Sequence, residues 1–169
     1  SILAEHAPKK LDWHYQHFDN NYFMSLPLVS VIMGIEMIFD DIHTGLAPDS
    51  EISQQGIAAI VQHYQYLSEQ KYGFEVSPKF SINALGFHLL KSSSQDGLKV
   101  FKEMVRRYPE DAYSHHNLAR AYDELGDFEN AVIHQEDAVK LAENMLTWHK
   151  KRHRRFLNEY LTKTNAASE

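Results

Sequence analysis

Apolar and polar positions fall into two patterns along this chain. The first is an unbroken apolar run from Tyr22 to Phe39, in which Glu36 is the one charged residue. The second begins near Ser50, where apolar residues recur at intervals of three and four, the spacing of one helix face. Ile57, Ile60, Val61, Tyr64 and Leu67 form the first stripe. Asp49 or Ser50 can cap its start and Gly73 fits its stop, so the pattern predicts one helix over 50–72. Ser77 and Pro78 read as the cap and first residue of the next helix, whose stripe is Ile82, Leu85, Leu89 and Leu90. The polar stretch from Lys91 to Asp96 predicts a turn. Leu98, Phe101, Val105 and Tyr108 then mark a helix that stops before Pro109.

The segment DAYSHHNLARAYDELGDFENAVIHQEDAVKLAEN, 111–144, is the most specific stretch. Leu118, Ala119, Tyr122, Gly126, Phe128, Ala131 and Ala138 give the order large, small, large, turn, large, small, small. This resembles a tetratricopeptide repeat, a helix–turn–helix of 34 residues whose small positions let paired helices approach while large ones fill between them. The preceding segment has the same scheme: Leu85-Gly86 matches Leu118-Ala119, Gly97 matches Ala131, Phe101 matches Gln135, and Pro109 closes the unit. Two such repeats need flanking helices as caps. The 50–72 helix serves one side. The other side has a basic C-terminal helix with an apolar stripe of Trp148, Leu157, Tyr160 and Leu161. A turn at Asn144–Thr147 is favoured over one helix of about 35 residues, which base rates make rare. The tail TNAASE is expected to fray.

The resemblance implies a concave groove lined by first helices, here by Asn83 and Phe87 from one repeat and Tyr113, His116, Arg120 and Asp123 from the next. Arg120 with Asn83 can hold a peptide carboxylate. The competing reading is that a neighbouring helix or an attached domain fills the groove.

Composition narrows the partners. A net charge of −6 argues against nucleic acid as the main partner, and the basic run from His149 to Arg155 reads as the solvated face of a capping helix. A membrane span is disfavoured by Pro27 and Glu36 inside the apolar run and by Asp19, Asp40 and Asp41 beside it. The chain has no cysteine, which removes disulfides and thiolate chemistry. His149 and His153 stand i,i+4 but sit among cations, so no metal is expected there. His115 and His116 point to different helix faces and are expected as one packed and one solvated residue. No metal and no cofactor are predicted. The chain opens on SILAEH without Met, and a piece of a longer protein is the expectation.

Segment 11–39 resembles the C-terminal end of esterases of the α/β-hydrolase superfamily, the bacterial group related to ferric-enterobactin esterases and esterase D. Trp13 and Tyr15 fit that family's last strand, Ser25, Leu26 and Pro27 its next loop, and Ser30, Gly34, Ile35, Ile38 and Phe39 its last helix. HYQYLSEQKYGF and INALGFHLL resemble the region beyond the hydrolase domain in members with C-terminal repeats. The resemblance implies a catalytic His two residues before Ser25, where this chain has Phe23, and the chain contains no Gly-x-Ser-x-Gly elbow. Catalytic residues are therefore not assigned.

The expected fold is mainly all-α: tetratricopeptide-type repeats with capping helices, preceded by a strand and helix remnant of a hydrolase domain. The expected divisions are 1–45 for that remnant, 46–76 for a connecting helix, 77–143 for two repeats and 144–169 for the cap and tail. The expected function is protein contact, either as the noncatalytic end of an esterase, with its own hydrolase domain as one partner, or as a free-standing adaptor. The 29–42 helix is expected to fold back on the 50–72 helix or to pair with a second copy of the chain. A soluble, cytoplasmic setting is favoured.

Overall fold

The computed structural model describes His17 and residues 24–167, and every regular element among them is helical. In order these are α1 (Leu26–Ile38), α2 (Asp40–His43), α3 (Glu51–Gln54), α4 (Ile57–Tyr66), α5 (Lys79–Ser92), α6 (Ser94–Arg107), α7 (Ala112–Glu124), α8 (Phe128–Leu141) and α9 (Thr147–Ala167). The expected strand at Trp13 and Tyr15, and Phe23, lie outside the described residues. The chain divides into two compact units, 1–40 and 41–169.

In the first unit, α1 starts at Leu26 with Pro27 in its first turn, where a missing N–H costs nothing. It buries none of its residues, and Leu28, Val31, Ile32, Ile35 and Ile38 are exposed. Among the described residues no helix is long and apolar enough to cross a membrane.

The second unit departs from the expected single helix over 50–72. Ser50 caps α3, its Oγ accepting from the Ser53 N–H at 3.3 Å, but α3 lasts one turn. Gly56 then takes φ +94°, a conformation side chains disfavour, and α4 starts anew. Beyond Tyr66 the helix widens into a π-helical segment, Leu67–Tyr72. Within this turn the Ser68 hydroxyl donates to the Tyr64 carbonyl at 2.7 Å and accepts from the Val76 N–H at 2.9 Å, tying the segment to the chain beyond Gly73. Gly73, at φ +69°, ends it where expected.

Two helical hairpins come next, α5 with α6 and α7 with α8, each packed on the next. The predicted six-residue turn between α5 and α6 shrinks to Ser93, the one residue outside both helices. Close approach explains the small residues. A Cβ on Gly86 would lie 2.6 Å from the Phe101 ring, and one on Gly97 would lie 2.7 Å from the Leu90 backbone nitrogen. In the second hairpin Ala119 and Ala131 are fully buried in the equivalent places, and Ala138 is fully buried further along α8. Asp111 caps α7 by accepting from the Ser114 N–H at 2.8 Å, and Asp127 caps α8 by accepting from the Asn130 N–H at 3.2 Å. One apolar core runs from α4 to α7 through Ile60, Tyr64, Ile82, Phe101, Met104 and Leu118.

These approaches make a prediction with competing terms. Gly97→Ala gains roughly 0.5–1 kcal/mol of helix propensity. It also forces α5 and α6 apart against backbone, an overpacking cost of about 1–3 kcal/mol. Urea denaturation is expected to show net destabilisation, and a gain in stability would mean that the hairpin is looser than its geometry.

The chain turns after α8 through a 3₁₀ segment, Ala142–Asn144, so α8 and α9 are separate helices. α9 packs on α8 by only part of the expected stripe, of which Tyr160 is buried. Trp148 and Leu161 are exposed and Leu157 is half-buried, whereas His153 and Tyr160 are buried and Phe156 half-buried. Residues 149, 153, 156 and 160 share one face at helical spacing, and the two histidines on it belong to the packed side. The helix continues to Ala167, through residues expected to fray.

Candidate functional site

The first helices of the two hairpins lie side by side and meet through polar and aromatic pairs. Asn117 Nδ2 on α7 donates to Asn83 Oδ1 on α5 at 2.8 Å, which turns the Asn83 amide group away from Asn117. One turn further on, the Arg120 guanidinium lies over the Phe87 ring, 4.4 Å from its centroid. Beside this pair a cleft of about 330 Å³ opens between the helices, walled by Phe87, Leu90, Lys91, Arg120 and Glu124. Two cations face one carboxylate there, over apolar walls.

Tyr113 and His116 are placed differently, because α9 covers them. The Tyr113 hydroxyl meets His149 Nδ1 at 2.5 Å, and its ring stands edge-on to His149 and His153. His116 is 1% exposed, with its ring 4.7 Å from that of Phe156. Its protonation is set by its neighbour. Gln135 Nε2 donates to the His153 carbonyl at 2.9 Å, so Gln135 Oε1 must accept, and His116 Nδ1–H donates to it at 2.8 Å. His116 Nε2 is left buried with no partner. Burial pushes the His116 pKa down to about 4, with the Gln135 bond opposing and His153, Arg120 and Arg152 adding to the drop. Asp123 is also taken up by α9, accepting from Lys163 at 2.5 Å.

Of the five residues proposed from the sequence, Phe87 and Arg120 share the cleft wall, and Asn83 stands a turn earlier on the same face. Tyr113 and His116 are joined to each other and to α9. The expectation that one of His115 and His116 is solvated is corrected, since both are buried, at 9% and 1% exposure. The sequence reading missed Lys91, Glu124 and Asn117. Their signal was available: Glu124 is four residues after Arg120, Lys91 four after Phe87, and Asn117 three before Arg120.

Residues 112–145 match the family model of the tetratricopeptide repeat, which covers α7, α8 and the turn after them. Comparison with curated proteins and with solved structures gives no match. Every regular element among the described residues is helical, and repeats of this kind generally bind proteins or peptides, which points to protein contact.

Proposed function

We propose that the face between α5 and α7 binds a peptide or protein segment bearing a carboxylate, with Arg120 as its anchor. The Arg120–Phe87 stack carries this reading. A guanidinium held 4.4 Å over a ring by cation–π attraction makes no hydrogen bond to it and keeps its N–H donors for an acceptor. Lys91 adds charge, Asn83 adds amide donors, and Phe87 with Leu90 gives apolar surface for the neighbouring side chain.

The test is an array of random-sequence peptides with free C-terminal carboxylates, compared with the same array amidated. Binders are expected in the first set, weakened in the second. Arg120→Ala should weaken them by roughly ten- to a hundredfold, the worth of a hydrogen-bonded charge, with a nearly unchanged melting temperature. Equal binding to both arrays would remove the carboxylate from the account. A large loss of stability in Arg120→Ala would make the residue structural.

A narrower reading, that these helices form the noncatalytic end of an esterase, is favoured by the resemblance of 11–39 and by α1, whose apolar face is exposed as that of a hydrolase's last helix would be once separated from its sheet. The gene's upstream sequence decides it through the presence or absence of a Gly-x-Ser-x-Gly strand–turn–helix. The same exposed face supports pairing with a second copy of the chain.

A further inference from the structure

We propose that His115, His134 and Asp137 form a site for a divalent transition-metal ion that staples α7 to α8, on a different set of residues from the carboxylate cleft. One ring nitrogen from each histidine and one Asp137 carboxylate oxygen all lie within 4.8 Å of one another. His115 comes from α7, while His134 and Asp137 stand one turn apart on α8.

Hydrogen bonding at His115 presents a lone pair to the centre of the cluster. His115 Nε2–H donates to the Pro109 carbonyl at 3.0 Å, which in the neutral ring leaves Nδ1 as the unprotonated nitrogen. That Nδ1 is buried with no hydrogen-bond partner, 3.7 Å from Asp137 Oδ2. His134 Nδ1 is likewise buried without a partner. An unprotonated His115 Nδ1 beside a carboxylate oxygen, with a second imidazole nitrogen buried unpartnered nearby, is costly unless a proton or a metal cation lies among them. The Pro109 carbonyl performs the second task that a metal-binding imidazole needs, fixing its tautomer and ring angle from behind. His134 is held by stacking, with the Tyr122 ring 5.6 Å away and nearly parallel.

Two lysines approach without occupying the centre. Lys140 pairs with Asp137 Oδ1 at 3.3 Å, leaving Oδ2 toward the histidines, and Lys102 lies over the Tyr122 ring at 5.5 Å. Two imidazoles and one carboxylate suit zinc, cobalt, nickel or copper rather than magnesium or calcium. Ligand bonds of about 2.0–2.1 Å require the three atoms to close to about 3.3 Å, within the reach of side-chain rotation. Asp137 and His134 are partly exposed, so the fourth position opens to water or to a partner's side chain.

The experiment titrates Co²⁺ into the untagged full chain at neutral pH, with visible absorption and the imidazole nitrogen resonances as readouts. One equivalent should bind with tetrahedral-type absorption and shift the His115 and His134 ring nitrogens. Asp137→Asn and His134→Gln should each weaken binding roughly tenfold or more, judged against losses from altered metal surroundings. His149→Gln, which breaks the i,i+4 histidine pair of α9, should leave binding unchanged. Zn²⁺ should raise the melting temperature of the parent chain and not that of Asp137→Asn. Asp137 is partly exposed, so its variant keeps the test open even if the His134 variant fails to fold. The proposal is overturned if Co²⁺ leaves both imidazoles unmoved, or if binding survives Asp137→Asn undiminished.

Discussion

Tyr160→Ala should lower stability by about 3–5 kcal/mol, the usual cost of emptying a buried aromatic site, and should free α9. Tyr160→Phe should cost nothing or stabilise. Tyr160 is 1% exposed and packs with Ala119 and Ala131, where a repeat hairpin presents its smallest side chains. Its hydroxyl is buried with no hydrogen-bond partner, and burial pushes its pKa well above the ordinary phenol value. Removing an unsatisfied buried hydroxyl while keeping the ring removes a desolvation cost and no bond. Amide exchange and urea denaturation check both variants: in Tyr160→Ala, protection should fall across 147–167 first. A loss of more than about 1 kcal/mol in Tyr160→Phe, the worth of a made hydrogen bond, would show that the hydroxyl has a partner in solution.

The second large effect is a loss of stability in mild acid. Above pH 6.5, His116 is neutral in both folded and unfolded chains. As pH falls, the unfolded residue takes up its proton near 6.5, while the folded one holds off until about 4. The unfolded state therefore binds more protons across that window, and stability falls with pH, by up to about 3 kcal/mol from this residue at about 1.4 kcal/mol per pKa unit. His153 is lowered as well, by burial first, and acts in the same direction. Unfolding at pH 7.5, 5.5 and 4.5 should trace this decline. In His116→Asn, whose amide can still donate to Gln135, the slope should flatten. An unchanged slope would place the titrating groups elsewhere.

The repeat was legible because its small positions are a packing requirement written into residue type. Gly86 and Gly97 stand where even a Cβ would meet its neighbour within 2.7 Å, and Ala119 and Ala131 are fully buried in the matching places. The break at Gly56 was not legible: one glycine in an amphipathic run reads as tolerated, and only the fold shows it at φ +94°. Apart from Tyr160, the docking face of α9 was misread for a related reason. Trp148 and Leu161 outrank histidine on any hydrophobic scale, yet His153 is the residue that packs, because Gln135 and the His116 ring give it an aromatic and polar seat. The groove positions came from repeat geometry. Which of them another helix would cover did not, since that depends on where α9 lands rather than on α7 itself.

The central claim is that α9 closes the Tyr113 and His116 end of the repeat face while the Phe87 and Arg120 end stays open for a partner. Backbone amide shifts, recorded as the strongest carboxylate-terminated binder from the peptide array is titrated in, test it directly. Perturbations confined to Asn83, Phe87, Lys91, Arg120 and Glu124, with α9 unmoved, are the predicted result. Perturbations centred on Tyr113 and His116, accompanied by movement of the 147–167 amides, would show that α9 is displaced by the ligand and would contradict the account.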